Sequence, residues 1–264
     1  MNFDFIITFF LPILAGTLYF FMAIEVKRTS RFRSMMFGEI GFKKIEFAFI
    51  IFGIYFITRP FQNVLGPHPW PLIINCMRQF FLMAVIAPSI LVAIFHWVPT
   101  PSGAPHSTKF AAYTMGSLMG IIFVLLNSIA VTGSKVVSTW GDINIYDPVW
   151  FQSVHPSIQL ILIHLICQFV SPVGFLLLAA AYVRHRRHNY QLANIYNLIP
   201  TKWRYLEASL IIFAASFIAA GIAVLCGSYY TYLWSIYFIG SIVAGIFAMR
   251  NIKLPPRETP NDLK

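Results

Sequence analysis

Asn75, Arg78 and Gln79 sit within about one helical turn of each other in PLIINCMRQFFLMAVIAPSILVAIFHWV, residues 71–98, a stretch that is otherwise almost wholly apolar. At about 1.5 Å per residue, a helix of this length exceeds a hydrocarbon core roughly 30 Å thick, so it is predicted to span a membrane. A charge inside such a span costs on the order of 3 kcal/mol by insertion scales. Arg78 must therefore snorkel to the headgroups as an anchor, face a wet cavity, or find a partner. Held in a cavity, it favours an anionic or strongly polar ligand, while apolar walls favour an amphiphilic one.

A second polar group stands in IQLILIHLICQFVSPVGFLLLAA, where His164 and Gln168 are four residues apart and share one helix face. Polar side chains aligned in this way face a bundle interior or a cavity, or hydrogen-bond across helices. Arg59, at the end of another apolar run, Asn127 in a third, and Asp147 in the segment TGSKVVSTWGDINIYDPVWFQSVHP complete the candidate set. The expected ligand site is thus Arg59, Asn75, Arg78, Gln79, Asn127, Asp147, His164 and Gln168. Asp142 and Asp147 are also candidates for salt bridges with Arg59 and Arg78, or for a polar lid.

Covalent or hydrolytic chemistry has no obvious machinery here. No HExxH, paired carboxylate, phosphate-binding Gly-rich loop or nucleophile elbow occurs, and no lysine falls in the last apolar run to form a Schiff base. Catalytic residues are accordingly expected to be none. The histidines lack close ligand spacing; only His68, His155 and His164 could meet to hold haem or copper. Cys76, Cys167 and Cys226 all lie in or beside apolar runs without a CxxC, as small buried hydrophobes.

The elements that must position these groups follow from composition. With 58% hydrophobic residues, 11% charged residues and apolar runs lacking a period of two, the chain is predicted to be an all-α bundle of seven transmembrane helices. The spans are placed at about residues 5–26, 45–65, 71–98, 109–132, 156–183, 204–226 and 229–249, giving a membrane domain of 1–250 and a short polar tail, 251–264. The first apolar run has no basic n-region and reads as a retained span. An N-terminus outside and a C-terminus in the cytoplasm puts sixteen of the nineteen Lys and Arg residues inside, leaving Arg59, Arg78 and Lys135 outside. Membrane insertion and contact with anionic lipid account for the net charge of +10 without nucleic acid.

Prolines punctuate this plan. Pro60, Pro67, Pro69 and Pro71 make the connection around His68 and Trp70 short and stiff, with Trp70 suited to the membrane interface. Pro88 and Pro172 interrupt spans three and five and should kink them. Gly116 and Gly120, four apart in span four, permit close approach of a neighbour. Spans six and seven, rich in small residues, are expected to serve packing. The basic, aromatic segment RHRRHNYQLANIYNLIPTKWRY is expected at the inner interface.

Three resemblances attach to these residues. The N-outside arrangement, MRQFFLMAVIAPSILVAIFHW and a Trp-containing segment before span five leading to AAAYVRHRRH resemble the seven-helix input modules of bacterial membrane sensors. That resemblance implies an outward-facing ligand pocket, output through a cytoplasmic signalling partner, and residence in the bacterial inner membrane. Cys76-Met77-Arg78-Gln79-Phe80 followed by Ala87-Pro88 is similar to the motif of copper-delivering assembly factors of haem-copper oxidases, without its two histidines. TGSKVVSTWGDINIYDP resembles the tryptophan-rich loop of haem-handling proteins of cytochrome c maturation, through Trp140-Gly141 and Asp147. The expected function is therefore a sensor or receptor-like module binding a small polar or amphiphilic ligand with no cofactor. The alternative is a haem- or copper-binding protein of respiratory assembly.

Overall fold

A computed structural model describes residues 5–37, 39–97, 106–150, 158–192, 198–225 and 231–252. It is mostly helical, and seven of its helices are long and apolar enough to cross a membrane. These spans, numbered one to seven, are Ile6–Thr29, Lys43–Val64, Trp70–His96, Thr108–Ile129, Ile161–Asn189, Trp203–Ala223 and Leu233–Arg250. The helix of span one continues to Phe37, and that of span five to Leu192. Neither KRTSRFRS nor VRHRRHNY contains a glycine or proline, so nothing in them stops the backbone ladder where hydrophobicity ends. Residues 253–264, most of the expected tail, lie outside the described residues, as does Cys226.

Spans one, two, three, five, six and seven form a closed ring in that order, and span four packs outside it against three and five. Span three is the hub: 61% of its most apolar 18-residue stretch is buried, more than in any other span. The ring's interior is aromatic, with Tyr19, Phe52, Phe56, Phe213, Phe217, Tyr237 and Phe238 buried together. Phe52 and Phe213 lie 4.8 Å apart between centroids, within the favourable range for offset or tilted ring pairs. Tyr19 Oη donates to the Ser241 carbonyl at 3.0 Å, and Ser209 Oγ to that of Ala244 at 2.8 Å. These bonds tie spans one and six to seven. The outward faces carry Phe21, Phe47, Phe110, Leu125, Ile158 and Ile239, all more than two-fifths exposed, which suits acyl chains as solvent.

Both prolines sit at irregularities in their helices, and the one at Pro172 leaves the helical region. A π turn, Leu82–Ile86, precedes Pro88, and a second, Phe169–Gly174, contains Pro172 beside Ser171, whose backbone leaves the helical region at φ −147°, ψ 117°. Proline has no N–H to give the preceding turn and its ring crowds the carbonyl there, so the helix widens or breaks. Ser171 Oγ donates to the Met83 carbonyl at 3.1 Å, so the break in one span supplies the donor at the break in the other. Gly116 of span four rests on the same point: an added Cβ would collide with the Met83 carbonyl oxygen and lie 2.7 Å from Pro88 Cγ. Its partner in the motif, Gly120, faces Phe80, so the glycine pair packs span four on span three. Ser171→Ala takes this buried donor from the Met83 carbonyl and is expected to cost about 1–3 kcal/mol of stability. Thermal unfolding of the detergent-solubilised protein measures it.

One element departs from an all-helical plan. Residues Val131–Trp140 (β1) and Ile143–Trp150 (β2) form an antiparallel hairpin. Its signal is present in the sequence: β-branched and aromatic residues flank Gly141-Asp142, and two-residue hairpin loops need a positive φ that glycine accepts readily. Gly141 has φ 57° and stands between the paired residues Trp140 and Ile143. The hairpin lies against the helix Arg59–Val64 and the start of span three. Asn63 Nδ2 donates to the Tyr146 carbonyl at 2.9 Å, the His68 N–H to Ser134 Oγ at 2.7 Å, and Trp140 packs 4.6 Å from the Phe5 ring.

Candidate functional site

Beneath the hairpin end of the bundle, spans two to seven enclose a polar cavity. Span two contributes Tyr55, Arg59 and Gln62, and span three Asn75, Arg78 and Gln79. Gln168 of span five and Phe123 of span four close one side, while Phe217, Ala220, Trp234 and Tyr237 of spans six and seven close the other. The volume of about 20 Å³ suits roughly one ordered water molecule.

Arg78 is the centre of this arrangement. It lies eight positions after Trp70, about 12 Å along the helix, and is only 6% exposed. Its side chain turns inward, so the anchoring role expected as an alternative does not apply. Nε and one terminal nitrogen donate to the Tyr55 carbonyl at 3.2 and 3.0 Å, and the other terminal nitrogen donates to Gln62 Oε1 at 2.7 Å. The guanidinium lies 4.4 Å from the Tyr55 ring centroid, a cation–π distance. Of its five N–H donors, these bonds use three; the other two have no acceptor among the described residues. Arg59, which also lines the cavity, lies 4.8 Å from the Trp234 ring centroid. Two guanidinium groups therefore line one cavity, and the described residues in its walls include no carboxylate.

Neutral polar atoms share this space. Asn75 Nδ2 and Gln79 Oε1 are buried without a protein partner among the described residues, although both side chains line the cavity. Unmatched amides in a wall of this kind are where water or a ligand makes its bonds. Asn127 is fully buried with both side-chain polar atoms unmatched, one turn from Phe123. His164 is also fully buried, its ring 4.9 Å from that of Phe123 and one turn from Gln168. Both therefore stand behind the wall that Phe123 forms rather than on the cavity surface.

Of the residues singled out in the sequence, Arg59, Asn75, Arg78, Gln79 and Gln168 come together in the cavity. Asn127 and His164 lie in the layer behind it, and the Asp147 side chain lies outside the described residues. Along the hairpin, the backbone of Asp147 pairs with Lys135. Asp142 is exposed beside the turn, and Arg78 is held by a carbonyl and an amide rather than by an acid. Tyr55, Gln62, Trp234 and Tyr237 were not anticipated. Gln62 falls just after Pro60 in what reads as a turn; proline is accommodated in the first turn of the helix Arg59–Val64, and the following residues bury Gln62 to 1% exposure. Trp234 and Tyr237 belong to a span expected only to pack.

For the metal alternative, His68 is exposed in the connection before span three, His164 is inside the bundle, and His155 lies outside the described residues. Among the described residues no cluster of three His, Cys, Asp or Glu side chains is placed to hold a metal ion.

Immediately beside the polar cavity is a larger space of a different kind. A groove of about 480 Å³ opens between spans two and three on the outside of the bundle, lined by Ile54, Phe61, Ile74, Met77, Phe81 and others. Tyr55 and Arg78 line both the groove and the cavity and form the partition between them.

Compared with known proteins, the chain matches no family model, no curated protein and no solved structure.

Proposed function

We propose that this chain is a seven-helix receptor or sensor module of a bacterial inner membrane, with its N-terminus and the hairpin outside and its C-terminus in the cytoplasm. It binds a small polar or amphiphilic ligand at the hairpin end of the bundle. The observation that carries this reading is the pair of guanidinium groups, Arg59 and Arg78, lining one cavity with no carboxylate among its described lining residues. Burying a cation without a counter-ion is unfavourable, and its persistence in a membrane interior is a mark of function. Orphaned amide groups of Asn75 and Gln79 in the same wall add hydrogen-bonding capacity for a guest.

The distribution of basic residues supports the orientation. The two proline breaks, joined through Ser171 and Met83 directly between spans three and five, are suited to shift together when the cavity is filled. Such a shift would reach the opposite end along the span-five helix, which extends to Leu192 and there carries Arg187, 2.9 Å from Glu207 of span six. A cytoplasmic signalling protein docking on this basic end would read the change.

A thermal-shift screen of the purified protein tests the proposal, using single-chain amphiphiles with carboxylate, phosphate, ammonium and uncharged headgroups. At least one class should stabilise the wild type, and the stabilisation should be lost in Arg78→Ala and weakened in His164→Ala. If no class stabilises the protein, or every stabilising compound acts on both variants as strongly as on the wild type, the cavity is not a receptor site.

A further inference from the structure

We infer that the ligand is a long-chain carboxylate that enters sideways from the bilayer, its hydrocarbon tail in the groove between spans two and three and its carboxylate on Arg78. This deepens the proposed receptor reading and rests on it. The groove's volume of about 480 Å³ falls within the range of small-molecule sites, about 300–1,000 Å³, and its lining is almost entirely apolar. Ile54, Phe61, Met77 and Phe81 are each at least half exposed along it, so whatever fills it must be hydrocarbon. An annular lipid would satisfy that condition alone, but Arg78 stands at the partition between this groove and the polar cavity.

Arg78 is shared by groove and cavity, is 6% exposed, and keeps two N–H donors unused. A buried cation with two N–H donors left over and no acid among the described residues lining the cavity makes an anionic headgroup the complementary guest. Size selects among anions. A carboxylate is the smallest anionic headgroup that offers a guanidinium two acceptor oxygens, and it can do so from the groove's end of the partition, whereas a phosphodiester brings its glycerol to a place where the space beyond Arg78 holds roughly one water. A tail is required because the groove leads to Arg78 through apolar walls about 12 Å below the level of Trp70, where a free small anion would have to shed its water.

Palmitate, hexadecan-1-ol and acetate, titrated against the full-length protein in phosphatidylcholine nanodiscs, separate the terms. Palmitate should bind saturably at one per chain and about tenfold or more tighter than hexadecanol, as expected for losing one partner of a buried charge pair. Arg78→Gln should lower palmitate to the hexadecanol level. Ile54→Trp, which narrows the groove, should weaken palmitate about tenfold or more, while Ile121→Trp, on the lipid face of span four, should leave it unchanged. Equal binding of palmitate and hexadecanol means annular lipid only, and acetate binding as tightly as palmitate means the groove plays no part; either overturns the inference. If a phosphate or uncharged amphiphile acts through Arg78 where palmitate does not, this inference fails and the receptor proposal stands. If no amphiphile acts through Arg78, both fail.

Discussion

Gly116→Ala is expected to destabilise the fold by about 1–3 kcal/mol, although the same change in most helices is stabilising by up to about 1 kcal/mol. The reason is the atom that the new methyl meets. A side chain could rotate aside, but the Met83 carbonyl belongs to a π turn whose geometry Pro88 imposes. Making room means moving span four off span three, or pulling the Met83 carbonyl away from Ser171 Oγ. Gly221 in span six is the matched control, because a Cβ built there meets nothing within 4 Å. Thermal unfolding of both variants in one detergent decides the matter: the two should move in opposite directions. Equal behaviour would mean that span four does not sit on the break in span three.

Arg78→Met should lower ligand affinity by about a hundredfold while leaving the unfolding temperature close to that of wild type. Removing one partner of a buried, hydrogen-bonded charge pair typically costs 2–5 kcal/mol of binding, and each 1.4 kcal/mol is about tenfold. The structural side of the balance is smaller. The Tyr55 carbonyl keeps Thr58 Oγ as a donor at 3.0 Å, so only Gln62 Oε1 loses its partner, a cost of about 1–3 kcal/mol. Against this stands relief from burying a cation that has no acid beside it among the described residues. Methionine is apolar, flexible and of similar length, so it leaves little void. A palmitate titration together with thermal unfolding checks both halves. A collapse in stability with unchanged affinity would make Arg78 a structural residue.

The candidate site was legible where it depended on a polar residue standing in an apolar run. Arg78, Asn75, Gln79 and Gln168 are conspicuous in hydrocarbon because each needs a partner there, and they do converge. The site was illegible where it depended on residues ordinary for their surroundings. Tyr55, Trp234 and Tyr237 look like any aromatic in a membrane span, and only the closing of span seven against span one brings the last two opposite span two. Gln62 was hidden by Pro60, which reads as a turn but begins a short helix. Asn127 and His164 carry the same polar signal as Arg78 yet lie behind Phe123, because helix phase sets which residues share a face and not how far a neighbouring ring intrudes. The hairpin was overlooked for a different reason: twenty residues of β-branched and aromatic character between two spans look like an interfacial loop unless Gly141-Asp142 is read as a turn.

The amino-acid order alone determined that seven apolar helices form, roughly where each lies, and where prolines interrupt two of them, though not that the helices of spans one and five run on to Phe37 and Leu192. Hydrocarbon imposes those features one segment at a time, since each backbone must close its own hydrogen bonds. Tertiary structure decided what no single segment contains: that span three is the hub and span four lies outside the ring, that the break at Ser171 serves the one at Met83, and that Arg78 divides a water-sized polar cavity from an apolar groove. Those relations depend on which helix faces which and how closely, and packing between uniformly apolar surfaces is settled by shape rather than by pattern.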